Sequence, residues 1–279
     1  MSNRHEPSVV SFGDEWSQFD QSSFSDDEAL KVFNEYFKSF PWESLPTGAT
    51  GFDMGCGSGR WAKFVAPRVG TLHCVDPSRA IEVAKRNLAD YPNVMCRSGS
   101  VDDAGIEASS QDFGYSLGVL HHIPDTEAAI RSCVRLLKPG APLLLYLYYA
   151  FDQRSWWFKL LWRLSDVLRR LIWRLPSSPK RLVTDVIALG VYLPLAKAAL
   201  LCERLGVKVD GWPLSYYRHH SLYTMRTDSR DRFGTPLEKR FTRAQIQSMM
   251  EAAGLERIAF ADGPPYWRVI GYRCADGAL

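Results

Sequence analysis

The stretch Ala49-Thr-Gly-Phe-Asp53-Met-Gly55-Cys-Gly57-Ser-Gly59-Arg60 decides the reading of this 279-residue chain. A short apolar run ends in an acid, Asp53, and then meets glycines at alternating positions. The pattern predicts a first β-strand that turns sharply into a helix over residues 61–65. Glycine reaches backbone angles closed to other residues and lets a ligand lie against the main chain. Spacing selects the ligand. A dinucleotide-binding turn reads G-x-G-x-x-G and sets a helix N-terminus against a pyrophosphate. Here the third glycine comes one residue early, and Arg60 stands where that turn wants glycine. A carboxylate beside the loop repels phosphate and suits a cationic ligand that bears an amino acid. These residues point to S-adenosylmethionine rather than NAD.

Residues 71–77, Thr-Leu-His-Cys-Val-Asp-Pro, read as a second strand ending in Asp76, 21 positions after Gly55. An acid at that distance can accept both hydroxyls of a bound ribose. A third strand over 94–97 leads into the turn Ser98-Gly-Ser100-Val101-Asp102. The segment 113–122, Phe-Gly-Tyr-Ser-Leu117-Gly-Val-Leu-His121-His122, reads as a fourth strand and the loop after it. Residues 136–146 hold a helix end, a Lys-Pro-Gly turn and a fifth strand. With these five features in order, the chain resembles the class I S-adenosylmethionine-dependent methyltransferases. It is similar to their small-molecule and quinone-pathway (type 11-like) branch. The resemblance covers residues 49–150 well and 241–273 loosely.

That resemblance implies an α/β, Rossmann-like fold: a seven-stranded, mostly parallel sheet with helices on both faces. Its last two strands, 255–261 and 266–273, would form an antiparallel pair at one edge. It implies that Asp53 lies near the methionine ammonium of the cofactor, and that Gly55, Cys56, Gly57 and Gly59 let the loop backbone approach. Asp76, followed by Pro77, would take the ribose; Ser100 and Val101 would meet the adenine edge. The family commonly carries an aspartate where Ser100 stands here, and Asp102 is the candidate substitute. Leu117 and His121 would line the cofactor and acceptor sites. His121 and His122 are the best general-base candidates because imidazole titrates close to neutrality. The plainer alternative is that one of them only hydrogen-bonds backbone, and many methyltransferases need no base. Tyr146, Tyr148 and Tyr149 add phenols at the expected pocket mouth.

Composition sets the outer bounds. The formal net charge is +3, which gives no global field arguing for nucleic acid. The six cysteines are scattered without any C-x-x-C or Cys/His cluster, so neither a metal site nor a disulfide framework is expected, and a reducing cytoplasm fits. The polar, acidic N-terminus does not read as a signal peptide. Charge is uneven, however: residues 1–150 hold 13 Lys/Arg against 19 Asp/Glu, whereas 151–210 hold 11 against 5. The shift marks an inserted segment.

The expected domains are an arm and leading helix over 1–48, a cofactor-binding core over 49–150, a helical insertion over 151–240 and a closing helix and strand pair over 241–279. In the arm, Phe12, Trp16, Phe19 and Phe24 read either as a tether or as a flap over the cofactor. In the insertion, 155–175 reads as one helix with a mostly basic stripe, Lys159, Arg163, Asp166, Arg170 and Arg174. Its remaining surface is apolar over a wider arc than one neighbouring helix covers. Residues 186–196 form an apolar run of 11, short of the roughly 20 residues a bilayer span needs. The segment is expected to be a helical hairpin packed on itself and on the sheet domain, a contact with an apolar substrate or, through 155–205, peripherally with the inner membrane surface, or a homodimer contact. The polar connection 215–234 would close the acceptor pocket with Tyr217, His219, Tyr223 and Arg226, Tyr217 and His219 being further catalytic candidates. An Arg–Asp network tying the insertion to the core is the structural alternative.

The function expected is therefore methyl transfer from S-adenosylmethionine to a small-molecule or lipid-like acceptor by in-line displacement. A non-catalytic cofactor-binding subunit with an assembly or membrane-contacting insertion is the alternative. A nucleic-acid methyltransferase fits less well. The basic residues of the insertion alternate with apolar surface, and no N-P-P-Y-type tetrapeptide follows the fourth strand.

Overall fold

The computed structural model describes residues 3–151, 154–263 and 265–275. The chain divides into two compact units, one of residues 1–20, 29–152 and 237–279, the other of 21–28 and 153–236. The second unit takes most of the segment 151–240 and a short piece, 21–28, near the N-terminus.

The first unit is built on a seven-stranded sheet. In chain order it runs α1 (Glu6–Gln18), α2 (Asp26–Phe37), β1 (Thr50–Met54), α3 (Ala62–Val65), β2 (Thr71–Asp76), α4 (Ala80–Asn87), β3 (Val94–Ser98) and β4 (Phe113–Leu117). It continues with α5 (Thr126–Leu136) and β5 (Pro142–Tyr146). The strand order is β3-β2-β1-β4-β5, with two late strands completing the β5 edge. Pairing across β3, β2, β1, β4 and β5 is parallel. Parallel strands need crossovers, and the helices of those crossovers cover both faces.

Alternation along each strand sends side chains to two cores. Phe52, Leu143 and Leu145 face one, with Ile130 and Val134 of α5. Leu72, Phe113, Tyr115 and Leu144 face the other, with Phe33 and Phe37 of α2. Two glycines make this density attainable. Gly51 pairs with Phe113 and Phe52 with Gly114 across β1 and β4. A Cβ on Gly51 would stand 2.3 Å from the Phe113 ring, and one on Gly114 would stand 2.2 Å from the Phe52 ring. Each phenylalanine thus occupies the space its neighbour leaves open.

The second unit carries α6 (Trp156–Ile172), α7 (Ser177–Ile187), α8 (Leu193–Arg204) and α9 (Leu222–Gly234). The turn Ala188–Tyr192 is a π-helical segment that joins α7 to α8 in one 28-residue helix, Ser177–Arg204. This corrects the expectation of a short apolar run: by length and composition the fused helix is long enough to cross a membrane. The polar connection 215–234 is also helical, a 3-10 turn at Ser215–His219 followed by α9. The first unit then closes with α10 (Arg243–Ala252), β6 (Leu255–Phe260) and β7 (Arg268–Arg273). A reciprocal Thr242–Gln245 capping box starts α10. β7 lies between β5 and β6 and is antiparallel to both.

Candidate active site

The chain leaves β1 for β2 on one side and meets β4 on the other, so the strand order reverses there, and such a switch point is where open α/β sheets bind ligands beyond the C-terminal strand ends. The glycine loop follows β1 at this end. Gly55, Gly57 and Gly59 have φ of +80°, +55° and +78°. A Cβ on Gly55 would collide with Val119 beyond β4, and one on Gly57 would stand 3.0 Å from the Trp16 ring.

The loop's amides are directed inward. Gly55 N and Cys56 N donate to the Val75 carbonyl at 2.7 and 3.1 Å, Gly59 N donates to Cys56 O at 2.9 Å, and Gly57 N donates to Asp76 Oδ2 at 2.9 Å. A phosphate nest needs such amides free; these four are committed to holding the turn.

Asp53, at the end of β1, is the unusual group. It is 2% exposed, and its Oδ2 has no hydrogen-bond partner. Burial pushes its carboxyl up to about 8; the neighbouring Tyr115 hydroxyl opposes that rise and the Asp76 charge adds to it. Asp76 is buried too, but satisfied: Oδ1 accepts from Ser78 N at 2.8 Å and Ser78 Oγ at 2.6 Å. Burial raises its carboxyl, and the bonds from Ser78 and Gly57 restrain the rise. The acid at the end of β2 therefore fixes the loop after β1, and Pro77 carries the chain onward to Ser78. The Cys74 thiol draws the buried Cys56 thiol down, but burial and the two carboxylates outweigh it and push Cys56 up to about 12. Cys56 stays a thiol.

Beyond β3, Ser98, Gly99, Ser100, Asp102 and Asp103 line a cavity of about 790 Å³ together with Asn3, Arg4 and Asp125. Val101, in the same turn, is buried against the core. Asp102 Oδ2 accepts from Asn3 N at 2.6 Å, and Asn3 Nδ2 donates to the Asp125 carbonyl at 2.6 Å. The N-terminal arm is thus tied to this rim. It is also a helix, α1, which the sequence did not announce. Trp16 covers Gly57, the Arg60 guanidinium stands 5.4 Å from the Trp16 ring and 4.1 Å from Trp61, and Phe12 meets His122 edge-on at 4.9 Å.

On the β4–β5 side, Leu117 ends β4, and His121 and His122 follow in the 3-10 turn Leu120–His122. His122 Nδ1 lies 2.6 Å from the Leu237 carbonyl, which is the plainer role weighed for one of the two. His121 is fully buried, its ring is 3.9 Å from that of Tyr148, and neither ring nitrogen has a hydrogen-bond partner. Burial, with His122 and Arg240 adding, holds its pKa well below the usual imidazole value. This corrects the expectation of a base poised near neutrality: His121 is a neutral imidazole with an available lone pair.

Tyr146 and Tyr148 stand together, ring centroids 5.7 Å apart, with Tyr36 edge-on to Tyr146 at 5.1 Å. Tyr149 turns away to pack on Tyr266 and Trp267. Arg240, 5.0 Å from the Tyr148 ring, and Tyr36 were not marked by the sequence; neither lies in a motif, and only the fold brings them here.

Four other candidates lie in the second unit, each bonded within it. The Tyr217 hydroxyl donates to Asp228 at 2.8 Å, and His219 Nε2 is 2.9 Å from Glu203. The Tyr223 hydroxyl accepts from Gln21 N at 3.1 Å, and Arg226 grips Asp185 through two nitrogens at 2.8 and 2.7 Å. The Arg–Asp network expected as a tie to the core therefore joins α9 to α7 inside the unit.

Residues 52–145 match the family model described as "Methyltransferase domain" (Methyltransf_11). The chain is 36% identical over 103 residues to a protein of Xanthomonas axonopodis pv. citri (strain 306) named ubiquinone biosynthesis O-methyltransferase. That match covers 36% of this chain and 43% of the relative, so it spans less than half of either. Among solved structures, an O-methyltransferase family protein from Burkholderia thailandensis aligns with a TM-score of 0.54 at 14% identity. It covers 90% of this chain and 57% of that one. The YcgJ protein of Bacillus subtilis aligns with a TM-score of 0.50 at 16% identity, covering 85% and 71%. At such identities the likeness is one of fold.

Proposed function

From a chain that belongs, through residues 52–145, to the class I S-adenosylmethionine-dependent methyltransferases of the type 11 branch, we propose a whole-protein activity: methyl transfer to a small, lipid-like acceptor by in-line displacement. One observation carries it. Asp53 is a buried carboxyl with an unpartnered oxygen, set beside a glycine loop whose amides are already committed. That pair of features suits an ammonium ligand and not a pyrophosphate.

S-adenosylmethionine supplies an electrophilic methyl on a sulfonium, so the protein's task is alignment and exclusion of water. In this reading Asp53 takes the ammonium. Asp76 uses lone pairs left over from Gly57 and Ser78 for the ribose hydroxyls. Ser100, Val101 and Asp102 border the adenine. Neutral His121 offers its lone pair to the acceptor's acidic hydrogen, with Tyr148 and Tyr146 forming an aromatic wall. Tyr217, His219, Tyr223 and Arg226 enter as the framework of the second unit, since their polar atoms are already bonded. The name of the Xanthomonas relative supports a quinone-pathway phenol as the acceptor class. An acceptor of that kind is carried in lipid, which gives the expected membrane contact through 155–205 a purpose.

Titration calorimetry tests the cofactor assignment. S-adenosylmethionine and its demethylated product should bind with micromolar affinity, about 8 kcal/mol, and NAD should give no heat. Binding of NAD alone would overturn the reading.

A further inference from the structure

We propose that the second unit docks in the plane of an anionic lipid bilayer through the outer faces of α6 and the fused α7–α8 helix. The proposal extends the reading of a lipid-borne acceptor but rests on this unit's own geometry.

The unit is inside-out. An ordinary surface helix hides its apolar stripe and shows its charges. α6 does largely the reverse: it buries Asp166 and Arg169 with only Ile172 beside them, while Trp156 is 77% exposed and Leu171 62%. Leu160, Leu164, Val167 and Leu168 lie between them on the same exposed face. The buried polar groups are fully engaged. Arg169 Nε donates to Asp166 at 2.7 Å, and its Nη1 donates to the Thr235 and Pro236 carbonyls at 2.8 and 2.9 Å. A contiguous apolar surface of this size marks an interaction site.

The second helix adds to it. Ser177–Arg204 buries Thr184, Ala188, Tyr192, Ala196 and Ala199 and exposes Leu182, Val186, Leu189, Leu195 and Leu201. The π turn inserts into the helical period at the point where the two halves meet and keeps one face inward along the whole length. Because the inner face packs against Met225 and Phe233 of α9, the helix lies on the lipid and does not cross it.

Charge selects the occupant. Arg163, Arg170 and Arg174, spaced by seven and four residues, border one edge of the α6 stripe and are exposed. Lys197 is exposed on α8. Apolar faces with tryptophan, edged by arginine, fit the acyl–headgroup boundary of a membrane bearing anionic lipid. A second copy would bring the same cationic edge to the interface.

Flotation with phosphatidylcholine vesicles, with and without phosphatidylglycerol, tests this in the absence of cofactor and acceptor. Failure here leaves the methyl-transfer reading standing, and the converse holds. The full chain should float with phosphatidylglycerol vesicles at low salt, at least about tenfold better than with phosphatidylcholine alone, and should be released by high salt. Leu164→Gln/Leu168→Gln/Leu171→Gln should lose binding to both, and Arg163→Glu/Arg174→Glu should lose the preference for phosphatidylglycerol. Circular dichroism and cofactor binding of both variants should match the parent, since every substituted side chain points outward. Three results overturn the proposal. One is a parent protein that stays at the bottom of the gradient at low salt. Another is vesicle-bound protein that resists both salt and alkaline washing, which would mean a spanning helix. The third is a dimer in sedimentation that the leucine variant converts to monomer, which would make the surface a contact between copies.

Discussion

At the scale of single residues, Asp53 makes the sharpest statement. With its carboxyl pushed up to about 8, it is mostly protonated at pH 7, whereas an ammonium ligand requires the carboxylate. Binding must then release a proton, and affinity must climb as pH rises from 6 towards 8, by up to about tenfold per unit. Asp53→Asn removes that dependence and a charge-assisted hydrogen bond of about 1.5–3 kcal/mol, so affinity at pH 8 should fall about 10- to 100-fold. The ligand's own amine titrates in both proteins, so the difference between their pH curves is the measurement. Superimposable curves would remove Asp53 from the ammonium site. The same shift bears on stability with the opposite sign. The folded state holds a proton that the unfolded chain gives up near its ordinary value of 3.8, so without ligand stability falls as pH rises between about 4 and 8. The strand-end positions of Asp53 and Asp76 were legible in the sequence, the first from the glycines that follow it and the second from its spacing of 21 after Gly55, and both are buried. His121 was legible as a position and not as a chemistry. Its burial against Tyr148 follows from the turn 120–122, and sequence carries no sign of that desolvation.

Elements divide by whether burial follows apolarity. The strands were readable because apolar residues such as Phe52, Leu72, Val75, Phe113 and Leu143–Leu145 fill many of their buried positions, with glycine and proline nearby. Their packing yields a test: Gly51→Ala or Gly114→Ala places a methyl inside the Phe113 or Phe52 ring space. Overpacking of this kind costs about 1–3 kcal/mol, so each variant should unfold at lower denaturant than the parent. An unchanged midpoint would show that the sheet relaxes around the methyl. Helix α1 escaped the sequence for the opposite reason. Its buried face is Ser8, Ser11, Gly13 and Glu15, so hydrophobic periodicity carried no signal there. Helix α9 escaped likewise, with Thr227, Ser229 and Arg230 turned inward. In α6 the periodicity was seen, but which face lies inside stayed open between a packed hairpin and an exposed apolar surface; the buried residues are Asp166, Arg169 and Ile172. Pattern reading takes apolar to mean inside, and it fails wherever a unit keeps its polar groups at its centre.

At the scale of the whole molecule, two units with opposite interiors should answer to different ligands. The first has two apolar cores on either side of a sheet. A ligand that binds only its folded form at 100 times its dissociation constant stabilises it by about 2.7 kcal/mol. The second has a small apolar cluster around Ile172, Tyr192 and Met225 and a polar network beside it, with most of its leucines outside. Lipid is what covers them in the reading above. Hydrogen exchange read by mass spectrometry separates the two effects by location. The demethylated cofactor should slow exchange in the glycine loop, in α1 through Trp16 over Gly57, and in the turn 98–103. It should leave α6 and the helix 177–204 as they were. Anionic vesicles should slow exchange in α6 and along 177–204, where backbone groups leave water as the outer face enters the headgroup layer, and should leave the glycine loop unchanged. If the cofactor protected α6 as strongly as the loop, the two units would be energetically one body. The boundary read from the charge shift near residue 150 would then mark composition and not stability.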